Sequence, residues 1–362
     1  MTNSSKSAWN WWSELTPYHW FVFSMASLAW MFDCLDQQIF VMMRSDALTS
    51  LVPESKDIKS LAGIATTVFM IGWATGGLIF GSVGDRIGRA KTLTMTVLLY
   101  SVCTGLSALS LGWYDFLAYR FITGLGVGGV FGLAVALIAD SLPERSRTGA
   151  LGTLQALSAV GNITANLLGL YVASLVAQKT ITPDFKWKLM FMFGALPAFL
   201  CVFLQIQLKE PEAWVEAKKK GKIDGVKFGS YGSLFGDPKL RHSALLGTLL
   251  CVAGVIGIWG IGFFAPELVG PVIESNLKKE GIDEALIGAA KLKWISINAI
   301  MQNVGAFCGM MTFTYVAQWI GRRKAFTIAF IASFLATIGF YQRFNGVNNI
   351  WMSSVMGFFQ MA

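Results

Sequence analysis

The chain has 362 residues, of which 54% are apolar (AVILMFWYC) and only 14% are charged, and its mean hydropathy is +0.55. Soluble globular proteins carry roughly a quarter charged residues, so this composition excludes a soluble enzyme, a disordered chain and a nucleic-acid-binding protein. A formal net charge of +8 fits a membrane protein whose basic loops lie on one side of the bilayer.

Ten apolar runs are candidates for membrane-spanning helices, because a bilayer core requires about 20 apolar residues per helix. Their unbroken length favours helices over barrel strands, which would alternate over about ten residues. The runs lie at 18–43, 60–83, 92–114, 117–139, 148–177, 189–208, 243–264, 294–317 and 325–341, and a tenth begins near residue 349. The sequence therefore predicts an all-α polytopic membrane protein.

Aromatic residues cluster before the first span, as is typical of the membrane–water boundary, at Trp9, Trp11, Trp12, Tyr18 and Trp20. No cleavage site follows them, so the segment differs from a secretory signal peptide. Lys and Arg are more frequent in the segments that lie inside if the N-terminus is cytoplasmic. We therefore expect a multi-pass protein of the cytoplasmic membrane with its N-terminus inside.

The order of the spans predicts two bundles joined by a hydrophilic segment. Residues 1–208 would form a six-helix bundle, 209–242 a cytoplasmic basic linker and 243–362 an incomplete second bundle. The linker contains four lysines within residues 217–222. It is interpreted first as a solvated connection on the positive side of the membrane, and alternatively as a lipid head-group or partner site.

A short basic motif occurs twice and indicates an internal repeat. Arg86-Ile-Gly-Arg-Ala-Lys91 follows the second span, and Trp319-Ile-Gly-Arg-Arg-Lys324 follows the eighth. Each copy joins the second and third helices of its half. Two equivalent matches predict parallel repeats, as in transporters built from two related halves.

The first copy is part of the run Gly81-Ser-Val-Gly-Asp-Arg-Ile-Gly-Arg-Ala-Lys91, which resembles the GxxxDRxGRxx loop signature of the major facilitator superfamily. The resemblance implies the major facilitator fold of two six-helix bundles and a gating role for this loop. In the second copy Gln318 and Trp319 replace Asp85 and Arg86, so that role is carried over to the first copy alone. The implied gating residues are Gly81, Asp85, Arg86, Gly88, Arg89, Asp140 and Arg147.

Other segments indicate which subgroup of the superfamily the chain resembles. The runs 120–129, 140–147 and 209–214 look like patterns of sugar porters and organic-acid symporters, and Asp33-Cys-Leu-Asp36 resembles the DGxD motif of aromatic-acid, sialate- and lactate-type proton symporters. The seventh span lacks the paired Gln of sugar porters, and the fifth lacks the Gly-Pro pair of drug antiporters. The resemblance implies secondary active transport, with proton-coupled symport of a small organic anion favoured. The alternatives are a sugar or polyol symporter and a truncated, non-transporting relative.

Three charged residues inside predicted spans form the candidate proton-coupling and substrate site. A charge at the bilayer centre costs roughly 2.5–3.5 kcal/mol on insertion scales, so Asp33, Asp36 and Arg120 are expected to have a function. Asp33 is the first choice for the proton carrier and Asp36 the second. The alternative places the Asp pair at a hydrated helix end, with Arg120 extending outward to the interface.

Further polar or aromatic residues are candidates for the wall of the transport cavity, and the same residues can instead hold helices together. They are Gln155, Asn162, Asn166, Trp259, Asn298, Gln302 and Asn303.

Several patterns do not predict enzymatic chemistry. Gly124-x-Gly-x-x-Gly129 matches a dinucleotide fingerprint, but it lies inside an apolar run, where Gly124, Gly128 and Gly132 favour close helix packing. The five cysteines form no CxxC pair and the two histidines stand alone, so no metal site is expected. The sequence predicts a non-enzyme without cofactors, monomeric, whose partners are a small-molecule substrate, protons and lipid rather than nucleic acid.

Full members of the superfamily have twelve spans, whereas the tenth predicted span is still running at Ala362. The sequence therefore predicts a second bundle without its last two helices, as a fragment or as the product of an interrupted gene.

Overall fold

The computed structural model describes residues 11–55, 57–223, 229–262, 265–282 and 284–361, and within them the chain forms helices and no strand. A 3-10 turn at Trp11–Glu14 comes first. The six helices of the first half are α1 Pro17–Leu51, α2 Ile58–Ile87, α3 Arg89–Ala108, α4 Trp113–Ser141, α5 Glu144–Ala177 and α6 Pro183–Gln205.

The rest of the chain begins with two short helices, α7 Glu212–Ile223 and α8 Tyr231–Gly236. They are followed by α9 Pro238–Gly262, α10 Ala265–Lys279, α11 Glu284–Ile320, α12 Arg322–Arg343 and α13 Trp351–Gln360. Within the described residues, four helical stretches are long and apolar enough to cross a membrane: Ile58–Ile87, Trp113–Ser141, Glu144–Ala177 and Arg323–Arg343. The all-α architecture expected from the sequence is confirmed.

The first two helices begin at residues that satisfy free backbone N–H groups. Thr16 Oγ1 accepts a hydrogen bond from His19 N at 3.3 Å, and His19 Nδ1 accepts one from Thr16 N at 3.2 Å. Asp57 Oδ1 accepts from Ser60 N at 3.0 Å at the start of α2. Such caps fix where a helix starts, and they give His19 a structural role.

Glycines allow α2 and α4 to pack with their backbones in contact. A Cβ added at Gly72 or Gly76 would collide with backbone atoms of α4, and one at Gly124 or Gly128 would collide with backbone atoms of α2. This confirms the packing role predicted for Gly124 and Gly128, because small residues let helices approach closely in lipid. Gly132, one turn further along α4, faces open space instead.

Glycines occupy similar positions in the two halves. Gly88 joins α2 to α3 with φ +129°, and Gly321 joins α11 to α12 with φ +86°, a region of backbone conformation that favours glycine. Glycine contacts also recur between α11 and α13, where a Cβ at Gly305 or Gly309 would strike backbone atoms of α13. These features support the parallel repeat inferred from the basic motif.

The halves meet along α5 and α11. Buried Ala156 and Ala159 of α5 form a small apolar cluster with Ala306 and Met310 of α11. A Cβ at Gly152 of α5 would also collide with the side chain of Thr314 on α11. Small residues therefore bring the two halves into direct contact at this helix pair.

One predicted turn is misplaced. The turn expected at residues 115–116 lies instead between Ala108 and Trp113, where Asp115 Oδ2 accepts hydrogen bonds from Leu111 N at 2.9 Å and Gly112 N at 3.1 Å. Hydropathy did not reveal this turn, because Leu109 and Leu111 lie within it. Helices also cover most of the predicted linker and most of the predicted outside segment 265–293.

Candidate transport site

Arg120 lies in the core of the first half. Its side chain is fully buried on α4, so it does not extend outward to the interface. Nε donates to Ser107 Oγ at 3.0 Å, and Nη2 donates to Ser107 Oγ at 2.7 Å and to Thr104 Oγ1 at 3.4 Å. Two hydroxyls of α3 therefore orient the guanidinium, and neither was singled out in the sequence.

Asp36 faces this guanidinium from α1. Its Oδ2 lies 4.0 Å from Arg120 Nη1, while its Oδ1 accepts a hydrogen bond from Thr104 Oγ1 at 2.9 Å. Both side chains are fully buried. Neither Asp36 Oδ2 nor Arg120 Nη1 makes a hydrogen bond within the described residues. The two charges are thus close enough to attract each other, and each retains a polar atom that can bind another group.

Asp33 lies on the same helix one turn earlier and is also fully buried. Its Oδ2 accepts a hydrogen bond from Gln37 Nε2 at 3.0 Å, and its Oδ1 has no hydrogen-bond partner among the described residues. The expected Asp pair is therefore buried rather than at a hydrated helix end. The structure brings Asp36 and Arg120 together and places Asp33 beside Gln37.

Aromatic rings surround the guanidinium of Arg120. Its Cζ lies 4.8 Å from the ring centroid of Phe191, 5.6 Å from that of Phe40 and 5.9 Å from that of Phe116. Cations are attracted to ring faces at such distances, and the attraction is larger when water is excluded. The rings thus stabilise a buried positive charge.

A second arginine, Arg44 on α1, is also buried, and it was not singled out in the sequence analysis. Arg44 was assigned to an outside loop, yet α1 continues to Leu51 and only 1% of Arg44 is exposed. Arg44 Nη1 donates to Thr66 Oγ1 of α2 at 2.7 Å. A signal was present, because residues 33, 37, 40 and 44 follow one helical stripe that extends beyond the predicted end of the span.

Most cavity candidates of the second half bond to neighbouring helices. Asn298 Oδ1 accepts a hydrogen bond from Ser353 Oγ, and Gln302 Nε2 donates to Gln360 Oε1 at 3.1 Å. Both bonds join α11 to α13. The sequence allowed these amides either to line the cavity or to hold helices together, and their hydrogen bonds hold α11 and α13 together.

One amide pair crosses between the halves. Asn162 Nδ2 of α5 donates to Asn303 Oδ1 of α11 at 2.9 Å, and Asn166 Nδ2 donates to Asn162 O at 2.8 Å. Gln155 Oε1 is buried without a hydrogen-bond partner among the described residues. The side chain of Trp259 lies outside the described residues.

The implied gating loop forms a charge cluster where α2, α3 and α4 meet. Arg89 forms an ion pair with Asp140, its Nη1 donates to Ala136 O at 2.9 Å, and its Nη2 lies 3.8 Å from Asp85 Oδ1. Arg89 thus connects the ends of α2 and α4. The structure thus brings together three of the implied gating residues, Asp85, Arg89 and Asp140.

The other residues of the loop have separate contacts. Arg86 Nη2 donates to Gly229 O at 3.1 Å, and Arg147 Nε donates to Leu142 O at 3.0 Å. The carboxylate of Glu210, which sequence reasoning did not include, accepts hydrogen bonds from Ala90 N at 3.2 Å and Lys91 N at 3.0 Å. It satisfies the first N–H groups of α3, as carboxylates do at helix N-termini.

Repeated helical halves, apolar surfaces and a buried carboxylate–guanidinium pair define a multi-pass membrane protein of the two-bundle transporter class. Residues 37–362 match the family model of the Major Facilitator Superfamily, and the chain belongs to that family. As a member of this family of transporters it is not an enzyme.

Relatives and solved structures agree with this membership. The chain is 27% identical to the cis,cis-muconate transport protein of Acinetobacter baylyi over 96% of this chain and 78% of the relative. It is also 27% identical to the sialic acid transporter of Escherichia coli over 90% of this chain and 71% of the relative. The xylose transporter XylE of E. coli, in a partially occluded inward-open conformation, matches with a TM-score of 0.66 and 19% identity over 95% of this chain and 84% of that one, which shows the shared fold.

Proposed function

We propose that the protein is a proton-coupled symporter that moves a small organic anion across the cytoplasmic membrane by alternating access. Two similar transporters carry names of acids, cis,cis-muconate and sialic acid, which bear carboxylates at neutral pH. A buried arginine supports this substrate class, because its planar guanidinium suits a carboxylate and keeps its charge. The proposal includes a cytoplasmic N-terminus and a monomer as the working unit.

The observation that carries this proposal is the geometry of Asp36 and Arg120. Their nearest charged atoms are 4.0 Å apart, buried, and without hydrogen bonds within the described residues. A substrate carboxylate and the Asp36 carboxylate would compete for the same guanidinium. When Asp36 takes up a proton, its charge disappears and Arg120 becomes free to bind the substrate, which links the movement of the proton to that of the anion.

Asp33, one turn away from Asp36 on α1, is the proposed proton carrier. Its Oδ1 makes no hydrogen bond among the described residues and is therefore available to a proton, while Gln37 fixes its Oδ2. Asp33 and Asp36 are three residues apart and lie on neighbouring positions of one helix face. A proton on one carboxyl group reduces the repulsion felt by the other, so the two groups act as a unit.

Alternating access would involve the charge cluster of Asp85, Arg89 and Asp140. These residues join the ends of α2, α3 and α4 on one side of the first half. A contact that is made in one conformation and broken in another changes the balance between the two states. We assign the cluster to that balance rather than to substrate binding.

Uptake by the full chain reconstituted in liposomes tests the proposed substrate class. Labelled cis,cis-muconate, sialic acid and xylose are offered with and without an inward proton gradient. Accumulation of an acid that requires the gradient supports the proposal. Accumulation of xylose alone would favour the sugar-symporter alternative, and failure to move any organic anion or sugar from a broader panel would favour a non-transporting relative.

A further inference from the structure

The segment after α6 is held at the level where several helices of the first half begin or end. Tyr18 Oη, near the start of α1, donates to Lys209 O at 3.3 Å and accepts from Lys209 N at 3.2 Å. Glu210 bonds to the first N–H groups of α3. Aromatic residues such as Tyr18 are typical of the membrane–water boundary. These contacts therefore place the start of the segment at that boundary.

Two side chains then hold α7 across the end of α2. Trp214 Nε1 donates to Asp85 O at 3.1 Å, and Lys218 Nζ donates to Arg86 O at 2.7 Å. The ammonium of Lys218 also lies 4.4 Å from the centroid of the Trp214 ring. Because both anchors are backbone carbonyls at one helix end, α7 lies along the boundary and does not extend freely into solution.

The chain continues on the outer surface of α2. Ser82 Oγ donates to Gly229 O at 2.6 Å, and Tyr231 Oη donates to Leu78 O at 2.5 Å. Leu78 is 61% exposed and lies inside the second predicted span. On α8, Tyr231 and Phe235 are also exposed. The segment thus presents aromatic side chains next to an apolar helix surface, an arrangement suited to the interface of a bilayer.

Charge is separated along α7. Its acidic residues, Glu212 and Glu216, come first, and Lys218, Lys219 and Lys220 follow. Lys219 and Lys220 are exposed, and among the described residues neither forms an ion pair. Lys91, at the start of α3, is exposed as well. The second half of α7 therefore carries positive charge next to the exposed apolar surface of α2.

We infer that Lys219 and Lys220 of α7 bind the phosphate head groups of anionic phospholipids. Charge complementarity selects the partner, because lysines next to a membrane-spanning helix attract anionic lipids and each contributes to binding. The anchors at Trp214 and Lys218 hold α7 along the boundary. Only the side chains of Lys219 and Lys220 then have to be ordered when a head group binds. The inference is independent of the substrate that the protein carries.

Native mass spectrometry of the purified full chain measures this binding with two probes, phosphatidylglycerol and phosphatidylcholine. We expect a preference for phosphatidylglycerol that falls as ionic strength rises from about 0.1 M to about 1 M, because the screening length shortens from about 10 Å to about 3 Å. The double variant Lys219→Gln/Lys220→Gln should bind phosphatidylglycerol roughly 10- to 30-fold more weakly. Both side chains are exposed, so the variant should fold normally.

The matched control is Lys279→Gln/Lys293→Gln, which removes two exposed lysines that lie on α10 and α11 and make no ion pair among the described residues. Its affinity for phosphatidylglycerol should stay within roughly twofold of the unmodified chain, since the sequence predicts both lysines on the side of the membrane opposite α7. Equal losses in both double variants, or no loss in the α7 variant, would overturn the inference. Competition by soluble polyglutamate without a preference for phosphatidylglycerol would assign Lys219 and Lys220 to an acidic protein partner instead.

Discussion

The two halves of the chain bury different kinds of polar side chain. Within the described residues, the first half buries four charged groups, Asp33, Asp36, Arg44 and Arg120. The polar side chains buried in the described part of the second half are neutral, at Ser296, Asn298, Ser353 and Gln360. Charges at bilayer depth are costly, and neutral amides and hydroxyls much less so. This contrast fits the proposal that charge exchange takes place in the first half, while the buried polar groups of the second half hold helices together.

The substitution with the largest expected effect is Arg120→Ala. It leaves the Asp36 carboxylate buried without its cation, and breaking a buried pair in this way typically costs about 3–5 kcal/mol of unfolding free energy. We expect a strongly lowered thermal unfolding midpoint in detergent and loss of anion uptake.

Asn298→Ala is the matched control in the second half, since it removes one neutral hydrogen bond between α11 and α13. Such bonds are worth about 0.6 kcal/mol on average in membrane proteins, so uptake should persist. If the two variants lost stability equally, the contrast between the halves would be wrong.

The next effect concerns the close contact of α2 and α4. Gly128→Ala adds a methyl group against backbone atoms of α2 and should cost about 1–3 kcal/mol of unfolding free energy, as overpacking does. Gly132→Ala is one turn away, faces open space, and should leave stability unchanged or raise it, because Ala favours helix more than Gly. Thermal unfolding of both variants measures the difference. Equal midpoints would show that the helices are less closely packed.

Sequence patterns located the spans and three of the four charged groups buried within the described residues, but not the side chains that hold those charges. The 20-residue apolar criterion found each long helix because burial in lipid requires it. Thr104, Ser107 and Gln37 act through contacts that depend on how helices pack, and nothing in the local sequence separates them from other polar residues. Arg44 was missed because a charge was taken as the end of a span, whereas α1 continues for nearly two further turns.

A smaller effect is expected where the halves meet. Asn162→Ala removes the hydrogen bond to Asn303, and a double-mutant cycle with Asn303→Ala should give a coupling free energy of about 0.6 kcal/mol. The rate of uptake should change more than stability, because this bond joins the two halves that would move relative to each other in the proposed alternating access. A coupling energy near zero would contradict a direct bond between α5 and α11.

The smallest effect on stability is expected for Asp85→Asn. Asp85 is half exposed and lies 3.8 Å from Arg89, and pairs of this kind contribute about 0–1 kcal/mol. Because the proposed role of Asp85 lies in the balance of conformational states, the variant should slow maximal uptake more than it raises the substrate concentration needed for half-maximal uptake. A variant that transports at the unmodified rate would remove Asp85 from the proposed gating cluster.

Coupling of proton and anion movement through the Asp pair is tested by measuring gradient-driven accumulation in liposomes with Asp33→Asn and Asp36→Asn. Each variant is compared with the unmodified chain for accumulation of an organic anion driven by a proton gradient, and for exchange of labelled anion across the membrane without a gradient. We expect Asp33→Asn, which lacks the proposed proton carrier, to lose accumulation but keep exchange. Accumulation against a gradient by both variants would contradict coupling through this pair.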